Sequence, residues 1–533
     1  MTLLADAKMY ARFASGLRGF LRHTISLDEA QAIVRQRLAD REANFLRLVE
    51  RGIFGYARSP YLPLLKLAHC QFGDIQDMVR TKGLEDTLRA LREAGVYVTF
   101  EEFKGYEPIV RHGQVIPAEA HSFDNPFLSH YYRTRSGGTT GAGTRVDTDL
   151  DHLAAMAPLL MLAYSAYGVV DAPLAFWFSI LPAGAGINGV LRQAKLGQVP
   201  GKWFTPIGPD NVRPALKNRL ATWYIILLGR LSGVSMPWPE PVTPDQAVVI
   251  ARWASEMVRS HGRCLVRAYV SAALRVSLAA QDAGLDLTGV TFVGGGEPPT
   301  PAKVRGITRS GAWWVPTYWF AEAGLMGIGC ARPADENDLH LFRDVVALIQ
   351  CPREVPGFGI TVDSFHFTSL LPSTPKLMLN VESDDYGVIE QRSCGCPLEA
   401  YGFTEHLRHI RSFRKLTGEG VTLVGSEMVR ILEEVLPARF GGSPLDYQLA
   451  EEEDERGFTR LNLLISPRVH ICDEAAVVEA VLGALGQSSV SADLTRARWS
   501  QVGALRVRRE EPRWTARGKL MPLHMGQRPG HRR

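Results

Sequence analysis

Short apolar runs of strand length alternate with helical stretches through the middle of this chain, and that alternation limits what it can fold into. Leu174–Leu181 (LAFWFSIL) is one such run. Val290–Val293 is another and leads straight into Gly294, Gly295 and Gly296. Stretches of helical spacing such as Pro244–Ser260 lie between them. Strands alternating with helices predict an α/β core with covered sheets. The first 130 or so residues read as mostly helical. Ser26 and Glu29 have the spacing of a reciprocal helix cap, and Leu84–Ala94 carries apolar residues at helical intervals. Beyond Arg411 the composition shifts. Val429–Leu436 and Ala475–Leu485 predict helices and Leu461–Ile465 a strand, enough for a small α+β domain.

The bulk numbers exclude several classes. A chain of 533 residues predicts two to four domains. Its hydrophobic share of 46% and charged share of 22% are those of an ordinary globular protein. A net charge of +4 is too small, at this length, to argue for nucleic acid or a membrane surface. Trp223–Leu228, an apolar stretch, is broken by Arg230 before it could span a bilayer. Met1–Leu21 mixes apolar residues with Lys8, Arg12 and Arg18, which predicts a helix and not a signal peptide. Seven cysteines, an odd number spread from Cys70 to Cys472, suggest no disulfide framework and a reducing cytoplasm as the compartment.

Two segments carry chemistry. Ser136–Thr144 (SGGTTGAGT) is a loop of small residues whose backbone N–H groups can converge on a phosphate without Cβ clashes. Ser136, Thr139 and Thr140 add hydroxyl donors. No lysine comes after it, so the P-loop pattern does not fit. Thr515–Lys519 (TARGK) presents one lysine on a glycine turn. In this order the two suggest activation of a carboxylic acid by ATP.

The first segment resembles the phosphate loop of the acyl-adenylate-forming superfamily. Its closing Thr144, where many members have lysine, is most similar to the phenylacetate–CoA ligase branch. Further stations resemble the family's motifs in sequence order. Val293–Pro298 is similar to the turn whose backbone lies against adenine, which implies roles for Gly296 and Glu297. Tyr318–Glu322 is similar to Tyr-Gly-x-Ser/Thr-Glu, which implies Tyr318 stacked on adenine and Glu322 on Mg²⁺. Leu377–Asp385 ends where the family has its ribose-binding aspartate, implying Asp385, with Asp384 as the neighbouring alternative. Arg411 matches an arginine that reaches ribose and phosphate, at the start of a hinge. Pro512–Lys519 resembles the C-terminal motif whose lysine, here Lys519, bridges the substrate carboxylate and the α-phosphate. The loop resemblance implies phosphate contacts from Ser136, Gly138, Thr139, Thr140 and Gly141. The chain departs from the pattern at Ala321, where the family has a hydroxyl, and at Phe413, where an aspartate or lysine usually acts as hinge.

The resemblance implies a large N-terminal adenylate-forming domain with α/β sheets and a small, mobile α+β C-terminal domain. It divides the chain into a helical region at 1–130, a nucleotide- and acyl-binding core at 131–410, a hinge at 411–414 and a C-terminal lid at 415–533. It implies an AMP- and pyrophosphate-forming ligase with ATP, Mg²⁺ and coenzyme A, a small carboxylic acid as substrate, and neither nucleic acid nor membrane as partner. The alternatives are transfer to an amine or a carrier-protein thiol, or a degenerate nucleotide-binding copy without turnover. The acyl pocket is expected from Phe176–Gly189, Arg267–Ala273 and Gly294–Gly296, with Trp177 and Tyr269 as walls.

Two lesser signals remain. Gly184, Gly186 and Gly189 form a dinucleotide fingerprint, with Asp210 about twenty residues on. Pro206 and Pro209 crowd the stretch around that aspartate, and the resemblance makes the fingerprint a turn beside the acyl pocket. Cys394 and Cys396, with His406 and His409, have the residue types of a zinc site, but the Cys-x-Cys spacing reads as a β-turn with two reduced thiols. His340 and His366 read as packed or surface histidines.

Overall fold

The computed structural model describes residues 3–135, 145–206, 215–296, 299–355, 360–412, 417–418, 421–422, 426–453, 459–485, 505–514, 520 and 523–525. The architecture is mixed α/β, as expected: one large sheet with helices against it, and a separate C-terminal sheet.

Helices dominate the N-terminal part, among them Leu3–Arg22, Leu27–Ala39, Phe72–Lys82 and Leu84–Glu93. The reciprocal cap forms: Glu29 N–H donates to Ser26 Oγ at 3.2 Å, and Ser26 N–H to the Glu29 carboxylate at 3.4 Å. The amphipathic helix Leu84–Glu93 buries Leu84, Leu88 and Leu91 at helical intervals.

Twelve strands make the large sheet. In chain order they are β1 (Leu174–Trp177), β2 (Lys202–Thr205), β3 (Pro239–Pro241), β4 (Cys264–Arg267), β5 (Val290–Gly295), β6 (Trp313–Phe320), β7 (Gly324–Gly329), β8 (Leu339–Leu341), β9 (Val346–Val355), β10 (Ile360–Ser369), β11 (Val381–Gln391) and β12 (Glu405–Ser412). Across the sheet they run β9-β10-β11-β12-β8-β7-β6-β5-β4-β1-β2-β3. From β6 to β3 every pair is parallel. From β6 to β9 every pair is antiparallel. β1 and β4 are buried along their whole length, as strands covered on both faces must be.

The parallel half reverses direction at β1. The chain moves outward through β2 and β3, then returns to lay β4, β5 and β6 on the other side. At such a switch point the loops leave the carboxyl ends of β1 and β4 on opposite sides and open a crevice. The run beginning at Leu174 is a strand only as far as Trp177; Phe178 and, further on, Ala183–Ala185 line this crevice.

The C-terminal sheet orders Leu505–Arg508, Thr459–Ile465, Tyr447–Glu453 and Leu523–Met525. With Glu474–Leu485 and the segment Ser426–Phe440 it encloses its own core, including Met428, Ile431, Leu463 and Val477. It docks on the large unit through Lys303 and Glu433, 2.8 Å apart and both buried. Arg275 also lies 4.0 Å over the Trp514 ring, and Leu520 is buried in the large core. All seven cysteines are free. Among the described residues no helix is long and apolar enough to cross a membrane.

Candidate functional site

A cavity of about 190 Å³ opens at the carboxyl ends of β1, β4, β5 and β6, at the switch point. Phe178 lies just after β1, Arg267 ends β4, Gly294 and Gly295 end β5, and Thr317 and Trp319 lie near the end of β6. Thr134 and Thr148 line another wall. They belong to the paired strands Tyr131–Arg135 and Arg145–Asp149, which bracket residues 136–144, and their hydroxyls are 3.1 Å apart. The loop itself, with Ser136, Gly138, Thr139, Thr140 and Gly141, lies outside the described residues. So do Glu297, Phe413, Arg414 and Lys519.

The glycines ending β5 are required by close approach. A Cβ on Gly294 would sit 1.7 Å from the Ala268 carbonyl oxygen, and one on Gly295 2.1 Å from that of Thr317. Backbone from β4 and β6 therefore crowds both sides of the strand end. Gly296 turns the chain away with φ +81° and lines the cavity.

The end of β6 carries two faces. Thr317 and Trp319 line the cavity, while Tyr318 between them donates its hydroxyl to Asp385 on β11 at 2.8 Å. A bulge between Tyr318 and Trp319 in the pairing with β7 re-aims these side chains. Burial, and then the Asp385 carboxylate, push the Tyr318 phenol well above its ordinary pKa, so it remains a donor. Asp384, the alternative for the ribose position, instead accepts from Ser412 Oγ at 2.9 Å. Arg411 is exposed on β12, opposite Tyr386, and hydrogen-bonds to it. The structure thus brings Tyr318 and Asp385 into contact and places Arg411 on the adjoining strand.

Glu322 lies just beyond β6 and is 6% exposed. Its Oε1 pairs with Lys104 Nζ at 2.6 Å. Burial alone would raise its pKa, but the Lys104 ammonium outweighs burial and holds the carboxyl below its usual value. Magnesium needs an oxygen donor with room for an octahedral shell. A buried carboxylate already neutralised by lysine does not fit that need, so Glu322 carries no metal-dependent step.

Several cavity residues were not singled out by sequence. Arg192 lies on the helix Gly184–Lys195, whose Gly186 and Gly189 pack against Trp203 and Phe176. The fingerprint glycines do sit in a parallel strand–helix–strand unit, β1 to β2, but a Cβ at either Gly186 or Gly189 would come within 2.4 Å of those rings. They seat the helix on the sheet. Arg192 and Arg267 are 6% and 4% exposed. His152, also lining the cavity, is kept neutral: burial first, then the Arg192 and Arg37 charges, bring its pKa down to about 3. Tyr269 lines the cavity as expected. Trp177 does not; it is buried and donates Nε1–H to the Val242 carbonyl at 3.0 Å.

Cys394 and Cys396 belong to a second group elsewhere. The potential ligand atoms of Cys330, His340, Cys394 and Cys396 all lie within 4.8 Å of one another. Cys330 comes directly after β7, His340 lies on β8, and the two other thiols sit between β11 and β12. The partner histidine is therefore His340 and not His409, while His406 pairs with Asp338 at 2.6 Å. His340 Nδ1 is 2.7 Å from the Phe403 carbonyl and its Nε2 3.0 Å from Cys396 Sγ. Three thiols and an imidazole whose far nitrogen is tied to a carbonyl suit a closed tetrahedral zinc site.

No family model matches the chain, and no curated protein matches it. Solved structures do. A 2-hydroxyisobutyryl-CoA ligase with its acyl-AMP and CoA is 16% identical, covers 95% of this chain and 91% of its own, and has a TM-score of 0.44. An anthranilate CoA ligase in complex with anthranoyl-AMP is 12% identical over 87% and 79%, at 0.43. An amide bond synthetase from Marinactinospora thermotolerans is 13% identical over 95% and 98%, at 0.41. These neighbours are two CoA ligases and an amide bond synthetase. Likenesses at this identity and TM-score add nothing to the site, whose reading rests on its own residues.

Proposed function

We propose that this chain activates a small carboxylic acid with ATP, forming an acyl-adenylate and pyrophosphate, and then transfers the acyl group to the thiol of coenzyme A. One observation carries the reading. Segments matched to separate motifs in sequence converge at one switch-point cavity: the strands bracketing residues 136–144, the glycines ending β5, and the end of β6, where Tyr318, between the cavity residues Thr317 and Trp319, contacts Asp385.

In this reading the cavity holds the acyl group. Tyr318 lies against adenine, Asp385 accepts the ribose hydroxyls and Arg411 reaches the nucleotide from the neighbouring strand. A carboxylate can accept from two vicinal O–H groups at once. The substrate carboxylate, already ionised at neutral pH, needs no general base. Its oxygen attacks the α-phosphorus and pyrophosphate leaves. The Ser136–Thr144 loop binds the phosphates through backbone N–H groups, and Lys519 offsets repulsion between carboxylate and phosphate. Trp514 and Leu520, which bracket 515–519, both contact the large unit. The thiolate then attacks the acyl carbon and AMP leaves. The Cys330–His340–Cys394–Cys396 group serves as a structural zinc site apart from this chemistry.

Pyrophosphate release on adding ATP and a panel of acids tests the first step, with Lys519→Ala as the silent control. Free AMP on adding coenzyme A tests the second. Pyrophosphate without AMP release by coenzyme A, but with release by an amine or a carrier thiol, moves the acceptor. ATP binding without pyrophosphate from any acid favours the degenerate copy.

A further inference from the structure

The cavity is cationic at one wall, and among the described residues no counter-ion lines it. Arg192 Cζ lies 4.4 Å from the centre of the Trp319 ring, and Arg267 Cζ lies 6.0 Å from it, so both guanidinium groups lie close to one indole. Both residues line the cavity and are more than nine-tenths buried. Among the described residues neither makes an ion pair, and no acidic side chain lines the cavity. Arg192 Nε and both Nε and Nη1 of Arg267 are buried without a hydrogen-bond partner. His152, which also lines the cavity, is neutral and supplies no negative charge.

Two buried like charges without a partner are costly, because each has lost its water and each repels the other. The repulsion registers at Arg192: burial first, then Arg267, bring its pKa down to about 9, which leaves it protonated at neutral pH. Bidentate guanidinium groups match the geometry of a carboxylate or a similar oxyanion. The carboxylate being activated cannot serve as the lasting counter-ion, since it loses its charge on becoming an anhydride of AMP.

We infer that the acid accepted here carries a second anionic group, a carboxylate or equivalent oxyanion, held between Arg192 and Arg267. The inference rests on the ligase reading for its chemistry, but the anion site itself does not. A cavity of about 190 Å³ compares with the roughly 150 Å³ that accepts benzene, so the acid is small: a short-chain dicarboxylate or a benzenedicarboxylate.

The test pairs each diacid, from succinate to adipate and the three benzenedicarboxylates, with its monomethyl ester, which keeps the shape and removes one charge. Pyrophosphate release is measured for the parent, Arg192→Met and Arg267→Met, with binding of each acid by calorimetry alongside. At least one diacid should exceed its half-ester in kcat/KM by about ten- to a hundredfold, the range of a charge-assisted hydrogen bond, and either Met variant should abolish that ratio while still turning over a half-ester. Removal of an unpaired buried charge should leave the fold intact. Preference for half-esters or simple monoacids, with pyrophosphate released, overturns the inference and leaves the ligase reading standing. If no acid is turned over, calorimetry decides: diacid binding lost in both Met variants sustains the anion site and rejects the ligase, while equal binding of diacid and half-ester rejects the anion site.

Discussion

The docking of the C-terminal unit should be sensitive to loss of either half of one buried charge pair. Lys303 on the helix Pro301–Thr308 and Glu433 in Ile431–Val435 meet at 2.8 Å, with side chains 2% and 4% exposed. Thr300 also donates its hydroxyl to Glu433. At an effective dielectric of 20 the gross attraction at that distance is about 6 kcal/mol, most of which offsets the desolvation of both ions. Removing one partner leaves the other charge buried, a loss of about 3–5 kcal/mol. Lys303→Met should therefore cost about that much, and it should fall mainly on the C-terminal unit. Lys303→Met with Glu433→Gln removes both charges, keeps an acceptor for Thr300, and should return to within about 1 kcal/mol of the parent. Native-state hydrogen exchange reads both, with Thr459–Ile465 and Glu474–Leu485 as reporters and β1 and β4 as the internal reference. Unchanged exchange in Lys303→Met, or a double variant no better than the single, would refute docking by this pair.

Three more outcomes are expected. Asp385→Asn should raise KM for ATP about tenfold with a smaller effect on kcat, since it removes the anionic acceptor that Tyr318 holds in place; ATP titrations of pyrophosphate release check this. Glu322, whose folded pKa is depressed below the unfolded value of 4.5, contributes stability that is complete above that pH and is lost as pH falls through the folded pKa. In Lys104→Met the depression goes, so thermal unfolding monitored from pH 6 to pH 3 should show the acid loss beginning at higher pH than in the parent. The purified protein should release one zinc ion per chain on unfolding, and Cys396→Ser should release little and melt at lower temperature; a parent without zinc contradicts the assignment.

The sequence made the α/β class legible because strand-length apolar runs leave few alternatives. The run of glycines after Val293 was legible as a motif turn, while the crowding of Gly294 and Gly295 by the Ala268 and Thr317 carbonyls came from the fold. Tyr318 and Asp385 were legible only through motif resemblance, as nothing local says that residues 67 positions apart will touch. Arg192 and Arg267 were not legible as a pair. Arg267 opens a segment expected at the acyl pocket, but Arg192 lies outside the expected segments, and only the return of β4 beside β1 joins them. A signal existed in β4, where the apolar Cys264–Val266 run ends abruptly in a charge. The spacing of Cys394 and Cys396 reads as a turn, and His340, 56 residues from Cys396, reaches it only through the antiparallel pairing of β8 with β12.

Trp319 ties the unusual features of the site together. It stands where the resembled motif has glycine, at the bulge that separates the cavity face of β6 from the Tyr318 face. A glycine there would leave open space; the indole narrows the cavity and offers its ring to Arg192. Such cation–π contacts are worth about 0.5–2 kcal/mol, whereas burying a guanidinium costs several kcal/mol. The ring can therefore hold the arginines in position but cannot replace a counter-ion. Among the described residues no acidic side chain lines the cavity to meet the remaining deficit, and the second anion proposed for the acid would link the indole at 319 to the charge of the substrate.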